Sequence, residues 1–262
     1  MERVGIIGAG KIGGTLVARL SSAGDFDLTV GDADEERLDH LAQTYDLETA
    51  RSNAEVVRRS DLIVIAVKPW DVAAVLDEIS GFIKGARRAV VSVAAGITIS
   101  NLENRLPRGT AILRVMPNVC ASVGMGTAVV AMNGPGEAYL PVVMDIFRRV
   151  GDVIELPEKL FDAATALHGS GPAYVALFAD ALTRAGVREG IPHEVARRLV
   201  NGTVAGTAIL LKEAPAYEVR DEVTTPGGTT AAAIAAMEQA GFVAAVYEGV
   251  EAAAERARRM AG

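Results

Sequence analysis

The chain has 262 residues, half of them hydrophobic and 23% charged, with a formal net charge of −7; it is long enough for one large domain or two modest ones, and the acidic balance argues against a general nucleic-acid binder. Its single cysteine, Cys120, excludes an intramolecular disulfide framework, and its three histidines (His40, His168, His193) are too scattered for a ligand cluster, so no metal is expected. No apolar run approaches the roughly 20 residues of a membrane span, and the N-terminus lacks the order of a signal peptide, which points to a cytoplasmic protein without a membrane partner.

Val4 to Ile7 is an apolar run, predicted as a strand, that ends in Gly8-Ala9-Gly10-Lys11-Ile12-Gly13, with a helix continuing through Thr15 to Ser22. Leu28 to Val30 is the next strand, followed by a charged helix from about Glu35 to Tyr45. The unbroken apolar run from Asp61 to Val67 has the pattern of a parallel strand buried on both faces. Ala89 to Val93 and Ile112 to Val115 read as two more. Strands alternating with helices predict an α/β fold with a doubly wound parallel sheet.

Beyond Leu156-Pro157 the character changes to Ala-rich helices, predicted at Phe161–Ala166, Pro172–Glu189, His193–Glu213 and Thr230–Met260. The expected division is therefore 1–157 for the α/β domain and 158–262 for an all-helical one. A second domain this apolar, and only about 100 residues long, gains by pairing with a copy of itself, so a homodimer is expected.

The pattern G-x-G-x-x-G is weak alone but follows a strand and opens a helix here, the context of a dinucleotide site. Gly8 permits the tight turn, Gly10 the approach to a pyrophosphate, and Gly13 close helix packing, while the helix start offers free N–H groups to the phosphates. Ile7, Lys11 and Ile12 belong to the same element. Asp32 stands about 20 positions beyond the loop, where a carboxylate accepts from a ribose 2′-OH and repels a 2′-phosphate, which favours NADH. Arg37 is a nearby counterweight, and capping of the next helix is the plainer role for Asp32. Ala66-Val67-Lys68-Pro69 and Ala94-Ala95-Gly96 follow predicted strands and are placed to line the cofactor crevice. Asn53 stands before a short helical stretch, as its cap or as a crevice residue.

Thr224-Thr225-Pro226-Gly227-Gly228-Thr229-Thr230 precedes the last long helix. Flexible glycines, hydroxyls and a helix start suit a small carboxylate. An ordinary helix connection with a threonine N-cap is the alternative.

Gly8 to Gly13, Ala66 to Pro69, Arg114-Val115-Met116-Pro117-Asn118, Gly169-Ser170-Gly171-Pro172-Ala173-Tyr174, Thr224 to Thr230 and the Glu238 to Phe242 segment occur in one order along the chain. In that order they resemble pyrroline-5-carboxylate reductase over nearly its full length. The resemblance implies a Rossmann-type domain followed by a helical dimerisation domain, with higher assemblies in some members. It implies NAD(P)H-dependent reduction of the C=N bond of 1-pyrroline-5-carboxylate to L-proline. It also implies that Thr225, Gly228 and Thr229 hold the substrate carboxylate and that Thr230 hydrogen-bonds the ring nitrogen as the catalytic group.

Two departures stand out. Val119-Cys120 replaces the usual Thr-Pro, and His168 replaces a small residue, either as a proton source or in a structural role. They leave open a relative acting on another cyclic imino acid. A non-catalytic dinucleotide-binding redox sensor is the alternative of a different class, although it has no need of the second glycine turn.

Overall fold

In the computed structural model, which describes residues 2–83 and 88–261, the first 160 residues build one eight-stranded sheet in the order β3-β2-β1-β4-β5-β6-β7-β8. The strands are β1 (Glu2–Ile7), β2 (Phe26–Gly31), β3 (Glu48–Ala50), β4 (Leu62–Ile65), β5 (Ala89–Ser92), β6 (Ala111–Pro117), β7 (Gly126–Met132) and β8 (Gly151–Glu155). β1 to β6 run parallel, as expected. β7 turns back against β6, and β8 pairs parallel to β7.

Period-two alternation sends successive residues of the central strands to opposite faces, and both faces are covered. Val4, Ile6, Val64 and Val91 meet one set of helices: α1 (Lys11–Ala23), α2 (Glu35–Tyr45) and, further along the chain, Leu140–Arg148. Ile7, Ile63, Ile65 and Val90 meet the other set: α3 (Asn53–Arg59), α4 (Val72–Ile83) and α5 (Ile99–Glu103). At the opposite, amino-terminal edge of the sheet, Arg3 donates two hydrogen bonds to Asp61, which hold that carboxyl below its usual range.

The remaining helices are α6 (Leu140–Arg148), α7 (Phe161–Ala164), α8 (Gly171–Arg188), α9 (His193–Glu213), α10 (Ala216–Glu222), α11 (Thr229–Gln239) and α12 (Phe242–Ala261). The expected single helix Thr230–Met260 is two helices, because Gly241 adopts a left-handed φ of 83° between them. The short α10 has no counterpart in the sequence reading.

The chain divides into two compact units, Met1–Gly169 with Ala253–Gly262, and Ser170–Ala252. Residues 158–169 pack with the sheet unit, for reasons visible in their contacts. Phe161 is fully buried in the same cluster as Ile99 and Leu102 of α5 and Ile112 of β6, and Glu158 accepts from Arg114 of β6 (2.9 Å) and from the Ile99 N–H (2.8 Å). The Arg114 side chain is only 5% exposed, lies 4.7 Å over the Phe161 ring, and has no partner for its Nε among the described residues. Removing the carboxylate therefore strands a buried cation. Glu158→Ala is expected to cost about 2–3 kcal/mol, discounted because Glu158 is partly exposed, with Glu158→Gln in between. Thermal denaturation at fixed protein concentration checks this, and a loss below about 0.5 kcal/mol contradicts it.

Within the second unit, α8 and α9 pack closely enough that a Cβ on Gly186 would come 3.2 Å from Ala196. Among the described residues of α8 to α11, only Thr183 and Ala196 are buried. Tyr174 and Phe178 of α8 and Phe242 and Val246 of α12 instead line an open apolar groove of about 610 Å³. Among the described residues no single helix is long and apolar enough to cross a membrane.

Candidate functional site

Ile7 is in register with Gly31 on one side and Ile65 on the other, and Ile65 with Ser92, so the carboxyl ends of four parallel strands finish at one level. The loops that leave them line a crevice of about 520 Å³. Of the expected cofactor residues, Ile7, Gly8, Gly10, Lys11, Ile12, Asp32, Asn53, Ala66, Val67, Lys68, Pro69, Ala94 and Ala95 are on its walls. Gly13 lies behind the loop rather than on the wall, and Gly96 borders a neighbouring hollow of about 270 Å³. Asp71, Val75 and Val93 also line the crevice and were not singled out from sequence. The signal available for the first two was their spacing, one helical turn apart just beyond Pro69.

The three glycines of the first loop differ in what makes them glycine. Gly8 has a φ of 96°, and a Cβ there would press on the Ala66 backbone at 2.8 Å. At Gly13 a Cβ would sit 1.9 Å from the Gly8 carbonyl oxygen, so α1 rests directly on the loop. At Gly10 a Cβ would meet nothing within 4 Å. Gly10 is the N-cap of α1 and supplies no side-chain cap, and the first turn has no acidic residue. Open space over a helix start with uncapped donors fits a pyrophosphate.

Asp32 does not cap α2. Asp34 does, accepting from the Arg37 N–H at 3.0 Å. Asp32 is spent on the loop instead: its Oδ2 accepts from the Ala9 N–H at 2.5 Å, and its Oδ1 accepts from the Asp34 N–H (2.9 Å) and from Arg37 (3.0 Å). The Arg37 guanidinium bridges Asp32 and Asp34 and itself lines the crevice. Asn53 is likewise not a cap. Ser52 caps α3, and Asn53 is the first residue of that helix.

In the second unit, Thr224 to Gly228 form the turn between α10 and α11. Gly228, not a threonine, is the N-cap of α11, and it contributes no side-chain bond. Gly227 has a φ of 69°, and a Cβ on Gly228 would clash with the Thr225 hydroxyl at 2.3 Å. The Thr224 hydroxyl is tied to the Arg220 carbonyl at 2.6 Å. Among the described residues the hydroxyls of Thr225, Thr229 and Thr230 have no such partner. Three free hydroxyls beside a helix start can take a carboxylate and one further acceptor.

Both departures from the expected motifs are accommodated locally. His168 lies in a π-helical turn, Thr165–Gly169, with its Nδ1 2.6 Å from the Ala164 carbonyl and its Nε2 2.7 Å from the Met116 carbonyl. Both ring nitrogens lie against backbone carbonyl oxygens, so the ring ties Met116 of β6 to Ala164 of α7. Cys120, unlike a proline, has an N–H, and donates it to Asn118 Oδ1 at 3.2 Å.

Comparison with known proteins agrees with this layout. A family model described as pyrroline-5-carboxylate reductase dimerisation matches residues 158–260, and one described as NADP oxidoreductase, coenzyme F420-dependent, matches residues 3–96. The pyrroline-5-carboxylate reductase of Synechocystis sp. is 39% identical over 98% of both chains. Among solved structures, that from Coxiella burnetii superposes with a TM-score of 0.94 at 30% identity, covering 99% of this chain and 98% of the other. The Plasmodium falciparum enzyme, determined with NADP bound, superposes with a TM-score of 0.86 at 31% identity, covering 100% and 98%.

Proposed function

The chain belongs to the pyrroline-5-carboxylate reductase family, and on that premise we propose that it reduces the C=N bond of 1-pyrroline-5-carboxylate to L-proline with NAD(P)H, the last step of proline biosynthesis. The observation that carries the reading is 39% identity over 98% of the chain. The loop Gly8 to Gly13 and the start of α1 would hold the dinucleotide in the crevice, with Gly10 leaving room for its pyrophosphate, and the cofactor would supply a hydride to the imine carbon. Thr225, Gly228 and Thr229 hold the substrate carboxylate. Thr230 hydrogen-bonds the ring nitrogen, where charge shifts as the C=N bond is reduced.

The reading includes a homodimer, supported by the dimerisation family match and by an apolar groove that α8 and α12 leave uncovered. It also includes a cytoplasmic location without membrane partners and the absence of a nucleic-acid partner, the last supported by the net charge of −7.

Both cofactors are accepted, with NADH modestly favoured. Asp32 and Asp34 outnumber Arg37 at the ribose end, so a 2′-phosphate meets more carboxylate than guanidinium there. Initial rates of pyrroline-5-carboxylate reduction with NADH and NADPH, side by side and against a six-membered imine, test the proposal. No turnover of the five-membered substrate with either cofactor refutes the activity, and a large NADPH preference refutes the cofactor order. Arg37→Ala is expected to lower kcat/KM with NADPH about fivefold more than with NADH, because only the former carries a phosphate for it to pair.

A further inference from the structure

A polar contact ties the crevice residue Asn53 to α4. Asn53 Nδ2 donates to Glu78 Oε2 of α4 at 2.7 Å. We propose that Glu78 orients the Asn53 amide so that its Oδ1 accepts a hydrogen bond from the 6-amino group of the cofactor's adenine. Asn53 is then a base-selecting residue and Glu78 its positioning residue. The inference rests on the crevice being the dinucleotide site.

Place comes first. A Cβ on Gly5 of β1 would lie 2.6 Å from Val56 Cγ1, and one on Gly31 of β2 would lie 2.8 Å from Val56 Cγ2. The absence of side chains at those two positions lets α3 sit directly on β1 and β2. A helix connecting parallel strands runs back against them, so its N-terminus lies at the carboxyl edge of the sheet. Asn53 is that N-terminus, and it shares the crevice with Asp32 and Arg37 beyond β2 and with Asp71 and Val75 of α4. With phosphates over α1 and ribose groups at Asp32, this is the adenosine end.

Chemistry then sets the polarity. An amide side chain has a donor end and an acceptor end, and its partners decide which way it lies. An ionised carboxylate only accepts, so Glu78 takes the NH₂ end of Asn53. Among the described residues no group donates to Asn53 Oδ1. The amide therefore offers the crevice an acceptor. Adenine presents an amine at its 6-position, which matches, whereas hypoxanthine presents a carbonyl, which repels it. Asp71 is a second acceptor on the same wall but is exposed.

The test compares NADH with reduced nicotinamide hypoxanthine dinucleotide, using kcat/KM for pyrroline-5-carboxylate reduction and Kd from nicotinamide fluorescence. The wild type is expected to favour the adenine cofactor about tenfold, the worth of one partly exposed hydrogen bond. Glu78→Gln frees the Asn53 amide to turn, and Asn53→Ala removes it; each is expected to shrink the ratio to about twofold or less. A purely structural Glu78 would weaken both dinucleotides equally and leave the ratio alone. Equal use of the two cofactors by the wild type, or a full ratio retained in Glu78→Gln, overturns the inference. Failure of both dinucleotides to bind the wild type instead overturns the assignment of the crevice itself.

Discussion

Replacing Gly13 with alanine is expected to raise the Kd for NAD(P)H by about 100-fold or more and to lower stability by about 1–3 kcal/mol, whereas Gly10→Ala should raise the Kd as strongly and leave the melting temperature unchanged. The two glycines are three residues apart in one loop, and the contrast comes from what surrounds each. A Cβ at position 13 would lie 1.9 Å from the Gly8 carbonyl oxygen and 3.1 Å from the Ala66 side chain, so α1 must back away from the loop it supports. Moving that helix start displaces every N–H aimed at the phosphates. At position 10 the added methyl meets no protein atom within 4 Å, and a φ of −68° suits any residue. The methyl would occupy the phosphates' own space. Trp70, the only tryptophan, sits between the crevice residues Pro69 and Asp71 and is exposed, so its fluorescence offers a direct readout of binding. Wild-type affinity in Gly10→Ala would remove the phosphates from this loop.

Thr230→Ala is expected to lower kcat for pyrroline-5-carboxylate by about 100-fold while the Kd for NADH changes by less than twofold. The size follows from loss of one aligned donor or acceptor at the atom whose charge changes. The selectivity follows from where the residue lies, on α11 in the second unit, while the crevice is lined entirely by residues of the first. Thr230→Ser keeps the hydroxyl and should recover most of the rate. Equal loss of reduction and NADH binding, or no loss of either, would count against the role. The neighbouring Gly228→Ala is a poor substitute as a probe, since the new methyl would strike the Thr225 hydroxyl and rearrange the turn.

Much of the site was legible because its parts are local. Gly8, Gly10 and Gly13 are spaced for a strand-to-helix turn, and β1, β2, β4 and β5 announced themselves as short apolar runs ending in crevice loops. The strands that were missed carry weaker local signals. β3 has only three residues, and β8 is an edge strand with a single buried residue, Val153. β7 is well buried, but no parallel alternation of strand and helix leads to it, since it turns back directly against β6. The break at Gly241 was hidden by Ala-rich helical sequence on both sides.

The sequence by itself determined the two kinds of glycine turn, the alternation of strand and helix behind the parallel part of the sheet, and the family to which they belong, because each is written in contiguous residues of fixed spacing. Only the tertiary structure decided what Asp32 and Asn53 are bonded to. Both had been read as possible helix caps, yet the caps are Asp34 and Ser52. Asp32 turns instead to the Ala9 N–H, 23 positions away, and Asn53 to Glu78, 25 positions away. Such pairings depend on how closely α3 and α1 settle on the sheet, a matter of side chains missing at Gly5, Gly31 and Gly13 rather than of any pattern within one segment.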